Sequence, residues 1–232
     1  GGVEAAIQAF RDTYPVQLDP QDFAKTGTNG VELLRGYFTH WKEWDRGYRV
    51  VENERVVELE LEPGVTFLVK RDKVLESVMD GQIYVMDHKT TGKGLDYKFW
   101  AGFELDSQVT ANVAATIQTH GQCSGFWVDG ISMGFRKKMY RGEPAGFHYA
   151  LGRQLVNRNK EQVRDWKKDT LWWVDQIREA REMGYWGRAE RSFPCGNCSF
   201  RQVCLAGGDE QVIEMFYEKH DPFEYLNEKE SA

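Results

Sequence analysis

No part of the chain approaches the ~18 consecutive apolar residues that a membrane-crossing helix needs, and no secretory leader opens it. Nothing therefore argues for membrane insertion or export, and a cytoplasmic protein is expected. Surplus positive charge is also missing. The 30 Lys and Arg stand against 36 Asp and Glu, giving a formal net charge of −6 and a pI near 5.5. A protein that coats nucleic acid by bulk electrostatics is disfavoured by this balance. Internal repeats and low-complexity linkers are absent too. Cysteine is sparse at 4 residues in 232, so a disulfide scaffold is not the organising device, and in a reducing compartment disulfides are disfavoured in any case.

Aromatic residues, by contrast, are plentiful: 8 Trp, 10 Tyr and 13 Phe rule against disorder. The length suits one α/β domain able to bury its own core. Ile7, Phe10 and Tyr14 recur at helical spacing and predict a helix starting almost at residue 1, which in turn predicts that the native chain extends further upstream or has been trimmed. A polar loop follows over 19–29. A second helix is expected from Gly30 to Trp44, where Val31, Leu33, Leu34, Tyr37, Phe38, Trp41 and Trp44 recur with helical period. Tyr48 to Leu61 alternates well enough for one or two strands, with Glu58 and Glu60 read as outward-facing acids. Asp106 or Ser107 caps a helix through about His120. Strands are expected within Ser124 to Phe135 and at Phe147 to Leu151. A long helix is expected over 161–184, with Trp166, Leu171, Trp173, Ile177 and Ala180 as its buried face. A tail helix is expected around Glu210 to Tyr217, followed by a frayed polar end. Residues 1–190 are read as the core and 191–232 as an extension packed on the same domain.

The chemistry concentrates between Val65 and Thr91. Two runs of β-branched and apolar residues, Val65 to Val69 and Ile83 to Met86, each lead into an acid, and Asp80-Gly81 turns the chain before the second run. This pattern predicts adjacent antiparallel strands that bring Asp72 close to Asp87. Strand side chains alternate with period two, so Asp87 and Lys89 leave the sheet on one face and His88 on the other. Two carboxylates and an ammonium at one corner suit phosphodiester hydrolysis. Hard oxygens can hold a divalent cation, and a positive group can position water or stabilise developing charge. A solvated strand-end salt bridge would show the same triplet.

Asp72 followed by Asp87-His88-Lys89-Thr90-Thr91 resembles the core of the PD-(D/E)XK nuclease superfamily, in its RecB-like branch. The Pro-Asp pair of the superfamily is replaced here by Arg71-Asp72, as is common in that branch. The resemblance covers most of residues 1–204 and implies a restriction-endonuclease-like α/β fold, a mixed central sheet flanked by helices. It implies Mg²⁺ or Mn²⁺ on Asp72 and Asp87, with the His88 carbonyl as a further ligand, and Lys89 activating or orienting water. Glu4 falls near the place of a third metal-side residue carried by a preceding helix, although acids are favoured in any first helical turn. Gln108 matches a glutamine expected beside the active corner, whereas Asn112 stands where that branch has tyrosine. DNA, single-stranded or with free ends, is the implied substrate, exonuclease the implied activity, and phage, CRISPR or recombination the implied context, with a helicase, integrase or recombination protein as partner. The basic segment Arg136, Lys137, Lys138 and Arg141 reads as a hairpin tip guiding nucleic acid, or as a solvated surface. Arg153, Arg158 and Lys160 form a second basic cluster open to the same two readings.

Three of the four cysteines fall in ten residues as Cys195-x2-Cys198-x5-Cys204, a spacing suited to soft-metal ligation. A subset of the RecB-like branch binds a [4Fe-4S] cluster with such a triplet plus one upstream cysteine. That cysteine lies before Gly1, or Cys123 is recruited, or zinc is bound with a histidine such as His220, or the metal has been lost; Cys123 alone reads as a small buried apolar residue. The rival function is a non-catalytic DNA-binding or assembly module that retains the fold and the metal staple.

Overall fold

The computed structural model describes residues 2–14, 24–139, 141–142, 145–187 and 195–220. They form two compact units, Gly1–Asp169 and Thr170–Ala232. The first unit opens with two helices, α1 (Val3–Thr13) and α2 (Gly27–Asp45). Thr26 starts α2 by accepting the Asn29 N–H on its side chain, a cap worth ~1 kcal/mol. Next come the strands β1 (Tyr48–Glu62), β2 (Val65–Ser77) and β3 (Ile83–Thr91). A short α3 (Tyr97–Ala101) and the longer α4 (Ser107–His120) lead to β4 (Phe126–Arg136) and β5 (Gly146–Val156). Asp106 caps α4 by accepting the Val109 N–H, and Gly121 closes it in the left-handed region at φ 75°.

The sheet is mixed, with strands in chain order, and helices flank it, as the α/β reading expects. β1, β2 and β3 pair antiparallel; β3 and β4 pair parallel across the α3–α4 crossover; β5 returns antiparallel on β4. β2 is longer than the apolar run Val65 to Val69 suggests. It carries on through Lys70 and Arg71 because those charges are matched across the ladder, Lys70 by Glu54 and Arg71 by Glu52.

α4 covers one face of the sheet. Val109 and Val113 pack with Val85, Phe126, Val128 and Val156, and Phe99, Trp100 and Phe103 seal the margin, so these three aromatics are core. Ala111, Ala114 and Ala115 pack on Val57, Leu59, Val69 and Trp166. Each fully buried Val or Leu contributes roughly 1.5–3 kcal/mol. Arg71 is buried in this layer, paired with Glu52 and donating to Thr116 at 3.2 Å and Thr119 at 2.9 Å. α2 lies on the opposite face. Gly36 permits this, since a Cβ there would overlap the Tyr149 hydroxyl on β5.

α5 (Lys160–Met183) ends at Gly184, φ 63°, as its sequence suggests. Its apolar stripe is another matter. Trp166 is buried against Phe67, but Trp173 and Ile177 remain exposed, so the periodic pattern in the second half of α5 does not mark a face buried among the described residues. The second unit contains α6 (Arg201–Leu205) and α7 (Glu210–Phe216), and Phe200 stacks on Tyr217. The expected frayed end, residues 221–232, lies outside the described residues. No described helix is long and apolar enough to cross a membrane.

Candidate active site

β2 and β3 pair only from Lys73↔Met86 to Glu76↔Ile83. Beyond the Lys73↔Met86 pair the strands no longer share backbone hydrogen bonds, and a side chain takes over: Asp72 Oδ2 accepts the His88 N–H at 3.0 Å. This places the Asp72 and Asp87 carboxyl groups within hydrogen-bonding reach of each other. Asp87 is 4% exposed, and its Oδ2 is ion-paired with the Lys89 ammonium. Gln108, in the first turn of α4, accepts from Lys89 Nζ at 2.7 Å. Asp72, Asp87, Lys89 and Gln108 therefore meet at one corner, as strand alternation and the cap at Asp106 predict.

The environments of the two acids differ. Hydrogen bonding from the His88 ring, joined by its N–H, holds the Asp72 carboxyl well below the usual carboxylate range against the opposing effect of burial. Burial pushes the Asp87 carboxyl up, and the charge on Asp72 adds to the rise while Lys89 counters it. Two neighbouring acids, one of them buried and only partly offset by Lys89, repel each other and suit a hard divalent ion as a shared partner. The donor set thus fits Mg²⁺ or Mn²⁺ through Asp72 and Asp87. Among the described residues no three His, Cys, Asp or Glu side chains converge on one point.

Glu4 does not join the acids: it is exposed on α1 and pairs with Arg35 of α2 at 3.2 Å. Asn112 is buried and donates to the Gln108 carbonyl at 2.9 Å, holding the turn that carries Gln108. Arg136, Lys137, Lys138 and Arg141 occupy the β4–β5 hairpin, whose last pair is Arg136↔Gly146; Tyr140, Glu143 and Pro144 of that tip lie outside the described residues. In the parallel ladder Thr91 faces Ser132, so the last pair of the hairpin lies roughly 13 Å past the end of β3 at ~3.3 Å per residue. Cys195, Cys198 and Cys204 are free thiols on the turn before α6 and on α6 itself. Cys123 is half-buried, donates to the Gly125 carbonyl at 3.4 Å, and has its thiol pushed up by burial.

The reverse face of the same strand carries a second polar group that the sequence reading leaves out. His88, Asp129 and Arg153 are register partners across β3, β4 and β5. Asp129 is fully buried and accepts from the Tyr37 hydroxyl of α2 and, at 3.0 Å, from Arg153 Nη2. Arg153 also donates to Asp45 at 2.7 Å, and its guanidinium lies 4.1 Å from the ring centroids of both Trp41 and Trp44. Burial, with Asp129 adding to it, raises the Tyr37 hydroxyl far above its ordinary value. Arg153 is thus not a surface contact for phosphate. Arg158 is committed as well, donating to the carbonyls of Phe103 and Asp106 and to Thr110. The one sequence signal for this group is a lone acid, Asp129, inside an otherwise apolar strand.

No family model matches the chain, and no curated protein matches it. Among solved structures it is similar to a "Putative exonuclease" from Eubacterium rectale, 12% identical, over 99% of this chain and 76% of that one, with a TM-score of 0.42. It is also similar to SSO0001, 11% identical, over 88% of this chain and 77% of that one, with a TM-score of 0.35.

Proposed function

We propose that the chain is a metal-dependent nuclease that hydrolyses phosphodiester bonds in DNA, acting on single strands or free ends as an exonuclease. The observation that carries this reading is the convergence of Asp72, Asp87 and Lys89, with Gln108 fixing the lysine. Asp72 and Asp87 would hold Mg²⁺ or Mn²⁺, helped by the His88 carbonyl; when bound, the ion neutralises the acids and polarises a phosphoryl oxygen. Lys89 orients the attacking water and stabilises charge that develops on the phosphate. Gln108 keeps Lys89 from swinging into solvent. The hairpin bearing Arg136, Lys137, Lys138 and Arg141 guides the strand toward this corner. The cysteine triplet is proposed as a structural [4Fe-4S] or zinc site completed by a fourth ligand. A helicase, integrase or recombination protein would supply the DNA end.

The test is digestion of end-labelled single- and double-stranded DNA with Mg²⁺ or Mn²⁺, comparing the natural chain with Asp87→Ala and Lys89→Ala. Metal-dependent cleavage lost in both variants supports the reading. Identical behaviour of all three proteins refutes it and leaves a binding or assembly module.

A further inference from the structure

Asp72 sits where β2 and β3 have parted, so the β2–β3 ladder does not set its distance from Asp87. Yet a carboxylate that shares a cation with Asp87 must be held to within ~0.5 Å to be useful. The N–H of His88 restrains one oxygen of Asp72. The ring of the same residue supplies a second restraint, with Nδ1 lying 3.5 Å from that oxygen, Oδ2. At the other end of the ring, Nε2 is 3.3 Å from the Tyr37 hydroxyl and 3.5 Å from both Asp129 Oδ2 and Lys73 Nζ. The Asp129 anchor is itself held in place. Asp129 is completely buried, and Arg153, itself buried, clamps it while lying against Trp41 and Trp44.

We propose that His88 is a positioning residue whose ring, anchored on the far face of the sheet by Tyr37, Asp129 and Arg153, braces the Asp72 carboxylate and so sets the spacing of the two acids. This rests on the nuclease reading of the Asp72–Asp87 corner and adds to it a support running through the sheet to α2. Groups that orient a metal-holding carboxylate are typically worth 10–100-fold in metal affinity.

The experiment is calorimetric titration of the full chain with Mn²⁺ alone, paired with thermal melts, for the natural protein and Asp72→Ala, His88→Ala, His88→Asn, His88→Gln and Tyr37→Phe. His88→Ala is expected to weaken Mn²⁺ binding about tenfold or more. Asn places its amide N–H where Nδ1 lies, whereas Gln places its own near Nε2, so His88→Asn should recover more affinity than His88→Gln. Tyr37→Phe, which keeps the ring and removes the anchor, should show a smaller loss than His88→Ala. Mn²⁺ affinity in His88→Ala equal to that of the natural chain, or better recovery with Gln than with Asn, overturns the proposal. If His88→Ala does not melt cooperatively, the Asn, Gln and Tyr37→Phe comparison decides alone. If the natural chain binds Mn²⁺ no better than Asp72→Ala, the nuclease reading itself fails, and the brace falls with it.

Discussion

His88 and Asp129 face each other across the parallel β3–β4 ladder, and the imidazole Nε2 of one lies 3.5 Å from the carboxylate of the other. Because Asp87 and Lys89 flank His88 on the opposite face, one strand of nine residues carries both the acid–amine corner and the buried polar row behind it. The two sides of the sheet are therefore mechanically joined through a single backbone segment.

Removing Asp129 should be costly in stability. Asp129→Ala would leave the Arg153 guanidinium and the Tyr37 hydroxyl buried without their shared acceptor. Breaking a buried pair on one side typically costs ~3–5 kcal/mol, which for a chain of this size lowers the melting midpoint by roughly 6–20 °C. Urea and thermal melts check this; a change below ~1 kcal/mol would show that Asp45 alone satisfies Arg153.

The front corner is legible in the sequence because strand alternation is strict: Asp87 and Lys89 have to share a face, and Asp106 marks where Gln108 sits on α4. The row behind it is not. Asp129 meets His88 only through a parallel pairing made after a crossover of two helices, and no local pattern encodes that register. Arg153 reads as part of a basic surface track because a charge run carries no sign of what stacks on it, and Trp41 and Trp44 come from a helix more than a hundred residues earlier. Glu4 suggests a ligand by its distance along α1, whereas its actual neighbour, Arg35, is set by how α1 packs on α2.

Asp87→Asn should abolish cleavage without weakening the fold. Burial raises the folded-state carboxyl, so its contribution to stability is present at low pH and lost as pH rises through the folded value. At pH 7–8 the ionised acid opposes folding, and the amide removes that cost, offset in part by the lost Lys89 pair. Asp72, whose carboxyl is depressed, behaves oppositely: its contribution is present at neutral pH and is lost progressively as pH falls below the ordinary carboxylate range. Metal-free Asp87→Asn is expected to melt at or above the natural chain near pH 7–8, by up to about 1 kcal/mol, with the gap closing as pH falls toward ~4. Added Mg²⁺ should then raise the midpoint of the natural chain alone. A variant that melts lower at every pH would contradict this account.

Gln108→Ala tests the tether on Lys89. With its acceptor gone, Nζ keeps only Asp87, and the expected loss is roughly tenfold in kcat, against ~10²–10⁴-fold for Lys89→Ala. Single-turnover kinetics separate the two. Equal losses would mean that Gln108 contacts the substrate itself.

Neutralising Arg136, Lys137 and Lys138 together should act on binding rather than on chemistry. Each phosphate that the hairpin no longer neutralises flattens the dependence of log K on log salt by ~0.7 for single strands and ~0.9 for duplex. Fluorescence anisotropy at several salt concentrations gives that slope. A flattening that corresponds to about two or three phosphates is expected, with kcat at saturating DNA unchanged; an unaltered slope would make the hairpin an ordinary solvated surface.

The cysteine triplet gives the last prediction, and it is independent of the acidic corner. Cys195, Cys198 and Cys204 form no disulfide among the described residues and fall within ten residues, while Cys123 donates to the Gly125 carbonyl. Anaerobically prepared protein is expected to carry metal in a stoichiometry that drops when Cys198→Ser and Cys204→Ser are introduced. Broad absorbance near ~400 nm would identify iron and sulfur, and a colourless protein that retains zinc would identify the tetrahedral alternative. Chelation should lower the melting midpoint of the natural chain and leave Cys198→Ser unmoved, because metal bound only by the folded form stabilises it by mass action. Metal-free protein from anaerobic preparation, with identical melts before and after chelator, would retire the cluster and leave the three thiols as ordinary side chains of α6 and the turn before it.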